Sequence, residues 1–116
     1  MHDVADVARQ IGRFGDAPGQ FIAPYGVAVG PDGSVYVSDR ETNRIQRFSG
    51  SGRLLGVIGS TGSGPGQFLS PWGLATDVRG NLYVADLNNY RVQRFTGSGQ
   101  FLEEFGRGVL QSVAEV

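Results

Sequence analysis

The side chains best suited to molecular recognition lie in two short stretches. Arg40, Glu41, Thr42 and Asn43 form the first, Leu87, Asn88, Asn89 and Tyr90 the second, and each is preceded 15 positions earlier by an aromatic residue, Tyr25 or Trp72. A guanidinium, amides and aromatic faces in one place suit contact with a peptide or a nucleotide base. We therefore take Tyr25, Arg40, Glu41, Asn43, Trp72, Asn88, Asn89 and Tyr90 as candidate binding residues, against the competing reading of ordinary solvated loops.

Catalytic chemistry has little to draw on. The single His is His2 and there is no Cys, which removes Ser-His-Asp arrangements, thiol nucleophiles and His- or thiolate-ligated metals. Carboxylate pairs and an oxygen-only Ca²⁺ site stay open. Asp39 and Asp86 precede Arg44 and Arg91 by the same interval; a carboxylate at such a turn accepts backbone N–H groups and pairs with the Arg. Repetition favours structure over catalysis. No catalytic residue, metal ligand or cofactor is assigned, and no enzymatic activity is expected.

These residues recur because the sequence repeats. An offset of 47 residues superimposes Gly19-Gln20-Phe21 on Gly66-Gln67-Phe68, Pro24 on Pro71, Gly26 on Gly73, and Gly33 on Gly80. The match continues through Tyr36-Val37 on Tyr83-Val84, Gln46-Arg47-Phe48 on Gln93-Arg94-Phe95, and Gly50-Ser51-Gly52 on Gly97-Ser98-Gly99. A period of this size marks a repeat architecture. Each repeat reads as four strands: Gly26 to Val29, Ser34 to Ser38, Arg44 to Phe48 and Leu54 to Ile58, then Gly73 to Thr76, Asn81 to Ala85, Arg91 to Phe95 and Phe101 to Phe105. Pro31-Asp32-Gly33 supplies a turn by mechanism: Pro presets φ, Asp bonds the backbone ahead, and Gly takes positive φ. No segment of either repeat has helical length or period. Four-stranded antiparallel sheets at this spacing predict an all-β fold of two propeller blades.

The Gly-Gln-Phe triplets, the Pro24 and Pro71 openings, the Tyr-Val-Ser-Asp and Tyr-Val-Ala-Asp strand ends, and the segments Asn43 to Phe48 and Tyr90 to Phe95 together resemble NHL repeats, over about Ile11 to Gly106. The resemblance implies a propeller, commonly of six blades, that serves as a rigid binding platform. Tyr90 departs from the pattern, which has Asn before Arg. Phe21, Phe48, Phe68 and Phe95 are expected to pack between blades, and Arg47 and Arg94 to form salt bridges at blade edges. In such propellers the two recognition stretches share one rim at the channel mouth.

The resulting division is an N-terminal segment 1–12, a first blade 13–59, a second blade 60–106 and a tail 107–116. The segment from Val7 to Gly12 aligns with Leu54 to Gly59 and Phe101 to Gly106, so it competes with the C-terminal strand for one blade edge; the better strand composition of Phe101 to Phe105 predicts that this strand takes it. Two blades leave two apolar faces uncovered. Head-to-tail association into a closed ring follows, three chains giving six blades.

Forty per cent of residues are apolar and 18% charged, with net charge −1 and all ten cationic residues Arg. That balance argues against disorder and against a broad nucleic-acid footprint. No apolar run approaches the ~20 residues that cross a bilayer, and the first ten residues lack a signal-peptide core. The expectation is a soluble, non-catalytic platform that assembles with itself and binds protein or peptide at its rim. An RNA-binding NHL platform is the alternative, a channel-metal hydrolase or lyase the third reading, and the compartment stays open.

Overall fold

A computed structural model describes residues 13–106. Twelve strands follow in order: β1 (Arg13–Phe14), β2 (Gln20–Phe21), β3 (Pro24–Val29), β4 (Val35–Asp39), β5 (Arg44–Phe48), β6 (Leu54–Ile58), β7 (Ser60–Thr61), β8 (Gln67–Phe68), β9 (Pro71–Thr76), β10 (Leu82–Asp86), β11 (Arg91–Phe95) and β12 (Phe101–Phe105). Strands β3 to β6 form one four-stranded antiparallel sheet in sequence order, and β9 to β12 the other. All eight strands read from the sequence are present, with the first of each sheet starting two residues earlier, at Pro24 and Pro71. β12 pairs with β11, as expected; the competing Val7 to Gly12 strand and both terminal segments lie outside the described residues.

Three features escape the sequence reading. The two-residue pairs β1 with β2 and β7 with β8 are parallel, Phe14 opposite Phe21 and Thr61 opposite Phe68, and they brace the link that crosses from an outer to an inner strand. Leu87–Asn89 adds one turn of 3-10 helix. Gln46 and Gln93, which strand alternation places opposite the apolar Ile45 and Val92, are completely buried. Each blade is covered on both faces near its middle, so a two-fold pattern of apolar and polar positions does not separate inside from outside. Gln46 accepts from the Gly19 N–H (2.7 Å) and donates to the Gln20 carbonyl (2.6 Å); Gln93 does the same for Gly66 (2.9 Å) and Gln67 (2.7 Å). These amides satisfy backbone groups of a crossing link whose own strand pairing is only two residues long.

The hairpin turns use left-handed glycines, Gly33 at φ 86° and Gly80 at φ 87°, a conformation that costs a side-chain-bearing residue. Between the blades, Tyr36, Ile45 and Ile58 of the first meet Phe68, Leu82, Val84 and Phe95 of the second in one buried cluster. Phe21 and Phe48 stack at 5.7 Å, as do Phe68 and Phe95. The Phe68 and Phe95 pair sits between blades; Phe21 and Phe48 pack with Val37 on the first blade's opposite face. Shifting by one repeat makes that face, Phe21, Val35, Val37, Phe48 and Leu54, equivalent to the second blade's half of the central cluster. The far side of the second blade presents Tyr83, Val92 and Phe105, equivalent to Tyr36, Ile45 and Ile58. Phe105 is among the exposed apolar residues there, and Phe14 and Val29 are exposed on the first blade.

Candidate functional site

Strand direction sets which residues share an end. The start of β3, the end of β4 and the start of β9 lie together, because β3 and β4 are antiparallel, with Pro24 opposite Asp39, and β3 packs against β9. This brings Tyr25, Arg40 and Trp72 into contact beside the innermost strands. The rings of Tyr25 and Trp72 are 4.5 Å apart at 46°. The Arg40 guanidinium carbon lies 4.5 Å from the Trp72 ring centre and 5.4 Å from that of Tyr25. Such stacking is worth about 0.5–2 kcal/mol, depending on desolvation.

The close approach of the blades here is built from small groups. Gly26 on β3 has no room for a side chain, since a Cβ would fall on the Trp72 carbonyl oxygen and beside Ser38 Oγ. The Gly26 N–H donates to Ser38 Oγ (2.8 Å), whose own O–H donates to the Trp72 carbonyl (2.7 Å). Trp72 is thereby held by its backbone while its ring faces Arg40. Neither Gly26 nor Ser38 was singled out as a site residue; the signal was the replacement of Ser38 by Ala85 one repeat on.

The remaining candidates divide. Glu41 and Asn88 are exposed. Asn43 is a tie between blades: its Oδ1 accepts from the Ser70 N–H (2.8 Å) and its amide donates to Thr61 Oγ1 (3.2 Å). Asn89 is buried, donating to the Gly62 carbonyl (2.9 Å) and to Asp86 Oδ2 (2.9 Å). Tyr90 is half-exposed in a left-handed conformation, φ 52°. Asn43 and Asn89 are thus committed to the fold, and Tyr25, Arg40 and Trp72 are what the structure brings together.

Asp39 and Asp86 both cap the turns after the second strands. Asp39 accepts from the N–H groups of Ile22 (2.8 Å), Ala23 (3.0 Å), Glu41 (3.1 Å) and Thr42 (3.3 Å). Asp86 accepts from Leu69 N–H and from Arg91 Nε, both at 2.8 Å. The expected carboxylate–Arg pair therefore forms in the second blade only. Arg44 instead donates to the carbonyls of Ala17 (2.9 Å) and Gln20 (3.1 Å), because four N–H groups already occupy the Asp39 oxygens. Arg47 and Arg94 do form salt bridges, with Asp32 (3.0 Å) and Glu103 (2.8 Å).

At the opposite end a cavity of about 200 Å³ opens between Pro31, Asp32, Tyr36, Arg47, Arg79 and Gly97. Asp32 already neutralises its Arg47, and the Ser34 backbone and hydroxyl, ahead of Arg47, hold the Asp32 carboxyl below its ordinary value of 3.8. Among the described residues no group of three His, Cys, Asp or Glu side chains is placed to hold a metal ion, and no helix is long and apolar enough to cross a membrane.

The chain belongs to the NHL repeat family, whose model matches residues 21–48 and 68–95. No curated protein matches it in sequence. Solved structures do match. A gluconolactonase from Xanthomonas campestris, XC5397, superimposes with a TM-score of 0.62 at 24% identity over 83% of this chain and 31% of that one. A luciferin-regenerating enzyme gives 0.61 at 17%, over 84% and 34%. The calcium-binding protein regucalcin from Agrobacterium tumefaciens gives 0.58 at 23%, over 76% and 31%. At these identities the likeness shows the fold, an all-β one of four-stranded antiparallel sheets shared with propeller proteins. The chain spans about a third of the length of each. The expectation of a non-catalytic scaffold without enzymatic activity is overturned by these neighbours: the same architecture is found in a gluconolactonase and in a luciferin-regenerating enzyme.

Proposed function

We propose that the two blades are part of a closed propeller enzyme that takes a small-molecule substrate at the channel mouth. The observation that carries this is the Tyr25–Arg40–Trp72 cluster, the one group of predicted recognition residues that converges at the inner end of the blades without being consumed by the fold. The likeness to a gluconolactonase supports a cyclic ester as the substrate. In its hydrolysis water adds to the acyl carbon, the acyl C–O bond breaks, and a hydroxy acid leaves. The described residues that reach the mouth bind and orient; the group that activates water is not assigned among them.

Ring closure belongs to the same reading. The outward faces of the pair are repeat-equivalent to the two halves of its central interface, so copies fit head to tail, and three of them make six blades. Native mass spectrometry reads this directly, three chains being expected and a monomer at micromolar concentration overturning it. The functional test is turnover of a panel of small lactones by the assembled protein, followed by acid release. Absence of turnover across the panel overturns the enzymatic reading.

A further inference from the structure

The geometry points to a carboxylate-binding site at Arg40, and this deepens the reading above by naming the ligand class at the same mouth. Arg40 stands apart from the arginines of the third strands, β5 and β11. Arg47, Arg91 and Arg94 pair with carboxylates, and Arg44 donates to two carbonyls. The guanidinium of Arg40 has no hydrogen-bond or ion-pair partner among the described residues, and its Nε is buried and unmatched. Yet it is fixed in place, 4.5 Å from one ring centre and 5.4 Å from another. A guanidinium carries five N–H donors in a rigid fork, and stacking occupies its face while leaving its edge for an acceptor.

The scaffold itself has no use for a cation here, because the equivalent residue one repeat on is Leu87. Ordering a long side chain without a hydrogen-bonding partner costs rotamer freedom. A pre-oriented fork is a sensible use of that cost, since a ligand then meets an arginine already immobilised.

The surroundings select the kind of anion. A phosphate would call for several donors, and the loop N–H groups that could form a nest for it, those of Ile22, Ala23, Glu41 and Thr42, are already directed at Asp39. That leaves one planar cation between two aromatic faces, with Tyr25 38% exposed. A singly charged planar carboxylate matches the fork in bidentate fashion, and its organic body rests on the Tyr25 ring. The ligand class is a small monocarboxylate, such as the hydroxy acid that opening a lactone releases.

Trp72 is the only tryptophan and touches the guanidinium, so its emission reports on the site. The assembled full chain is titrated with sodium gluconate and sodium benzoate, and with inorganic phosphate and chloride at matched ionic strength. A saturable emission change with the carboxylates is expected, weakened by about ten- to a hundredfold in Arg40→Gln, the loss of a charged hydrogen-bonding group, and unchanged in Arg47→Gln. Arg40→Lys, which keeps the charge and loses the fork, is expected between wild type and Arg40→Gln, and thermal melting verifies that each variant folds. The site is overturned if Arg40→Gln titrates like wild type, if phosphate binds more tightly than either carboxylate, or if every salt gives the same linear response. Lactone turnover without carboxylate binding removes this site and leaves the enzymatic reading; carboxylate binding without turnover does the reverse.

Discussion

The corner after β4 and the corner after β10 occupy equivalent places in two copies of one repeat, and they solve the same problem differently. In the second blade Arg91 is fully buried and held by Asp86 (2.8 Å), Glu104 (3.0 Å) and the carbonyls of Gly64 (2.8 Å) and Gln67 (2.7 Å). In the first, Arg44 is only partly buried, Val57 stands where Glu104 would, and Nε has no acceptor. Asn89 reinforces the second corner; at the equivalent Thr42 the hydroxyl is buried without a partner. The second corner is thus closed on itself. The first spends its carboxylate on the crossing link and its own turn, and Arg40 stands beside the aromatic pair without an ion-pair partner among the described residues. One copy is consolidated and the other keeps an open charge, on which the proposed site rests.

The largest test of that contrast is at the corners themselves. Asp86→Ala takes from the buried Arg91 one of its two carboxylates and from the Leu69 N–H, Asn89 and Gln93 a shared acceptor, and is expected to cost about 3–5 kcal/mol, whereas Arg44→Ala, which removes a half-exposed donor from two carbonyls, should cost no more than about 1–2 kcal/mol. Urea denaturation of the two variants compares them, and equal losses would mean that the corners are energetically alike. A middle-sized effect is expected at the seam. Ser38→Ala leaves the buried Gly26 N–H and the Trp72 carbonyl without a partner, for about 1–3 kcal/mol, and its loss should appear in the melting curve. Ala85→Ser in the second blade should return no comparable gain, unless a neighbouring blade supplies equivalent partners. The smallest change is a gain. Tyr90→Asn places at φ 52° a residue that tolerates the left-handed region, and should stabilise by about 1 kcal/mol; an unchanged midpoint would show that the ring contributes packing that offsets the strain.

Much of this architecture is legible in the sequence because it is written twice. Gly33 and Gly80, Phe48 and Phe95, and Asp39 and Asp86 announce turns, packing and caps by recurring at a constant interval. Ser38, Gln46 and Gln93 were harder to read. A blade is covered on both sides, so polar residues lie inside it, and their partners are backbone groups, of crossing links for the two glutamines and of β3 and β9 for Ser38, that leave no side-chain signature. The candidate rim was half legible for a related reason. Disagreement between repeats drew attention to Arg40, Asn43 and Tyr90 together, but only three-dimensional placement separates Arg40, stacked and unpaired, from Asn43, whose amide ties one blade to the next. The Asp39–Arg44 pair failed because spacing alone cannot count the N–H groups that claim a carboxylate first.

Gly26 carries a consequence for the shape of the proposed ring. At the strands β3 and β9 the two blades are separated by little more than backbone, while farther out the same gap holds the bulk of Tyr36, Ile58, Phe68 and Phe95. The space between the two blades is therefore a wedge, thin at β3 and β9 and thick farther out, and in the proposed ring its taper sets the curvature. A single methyl group added at the thin edge would press the wedge toward parallel sides and flatten the arc. In the proposed ring, the number of blades that meet around the axis depends on a position with no side chain at all.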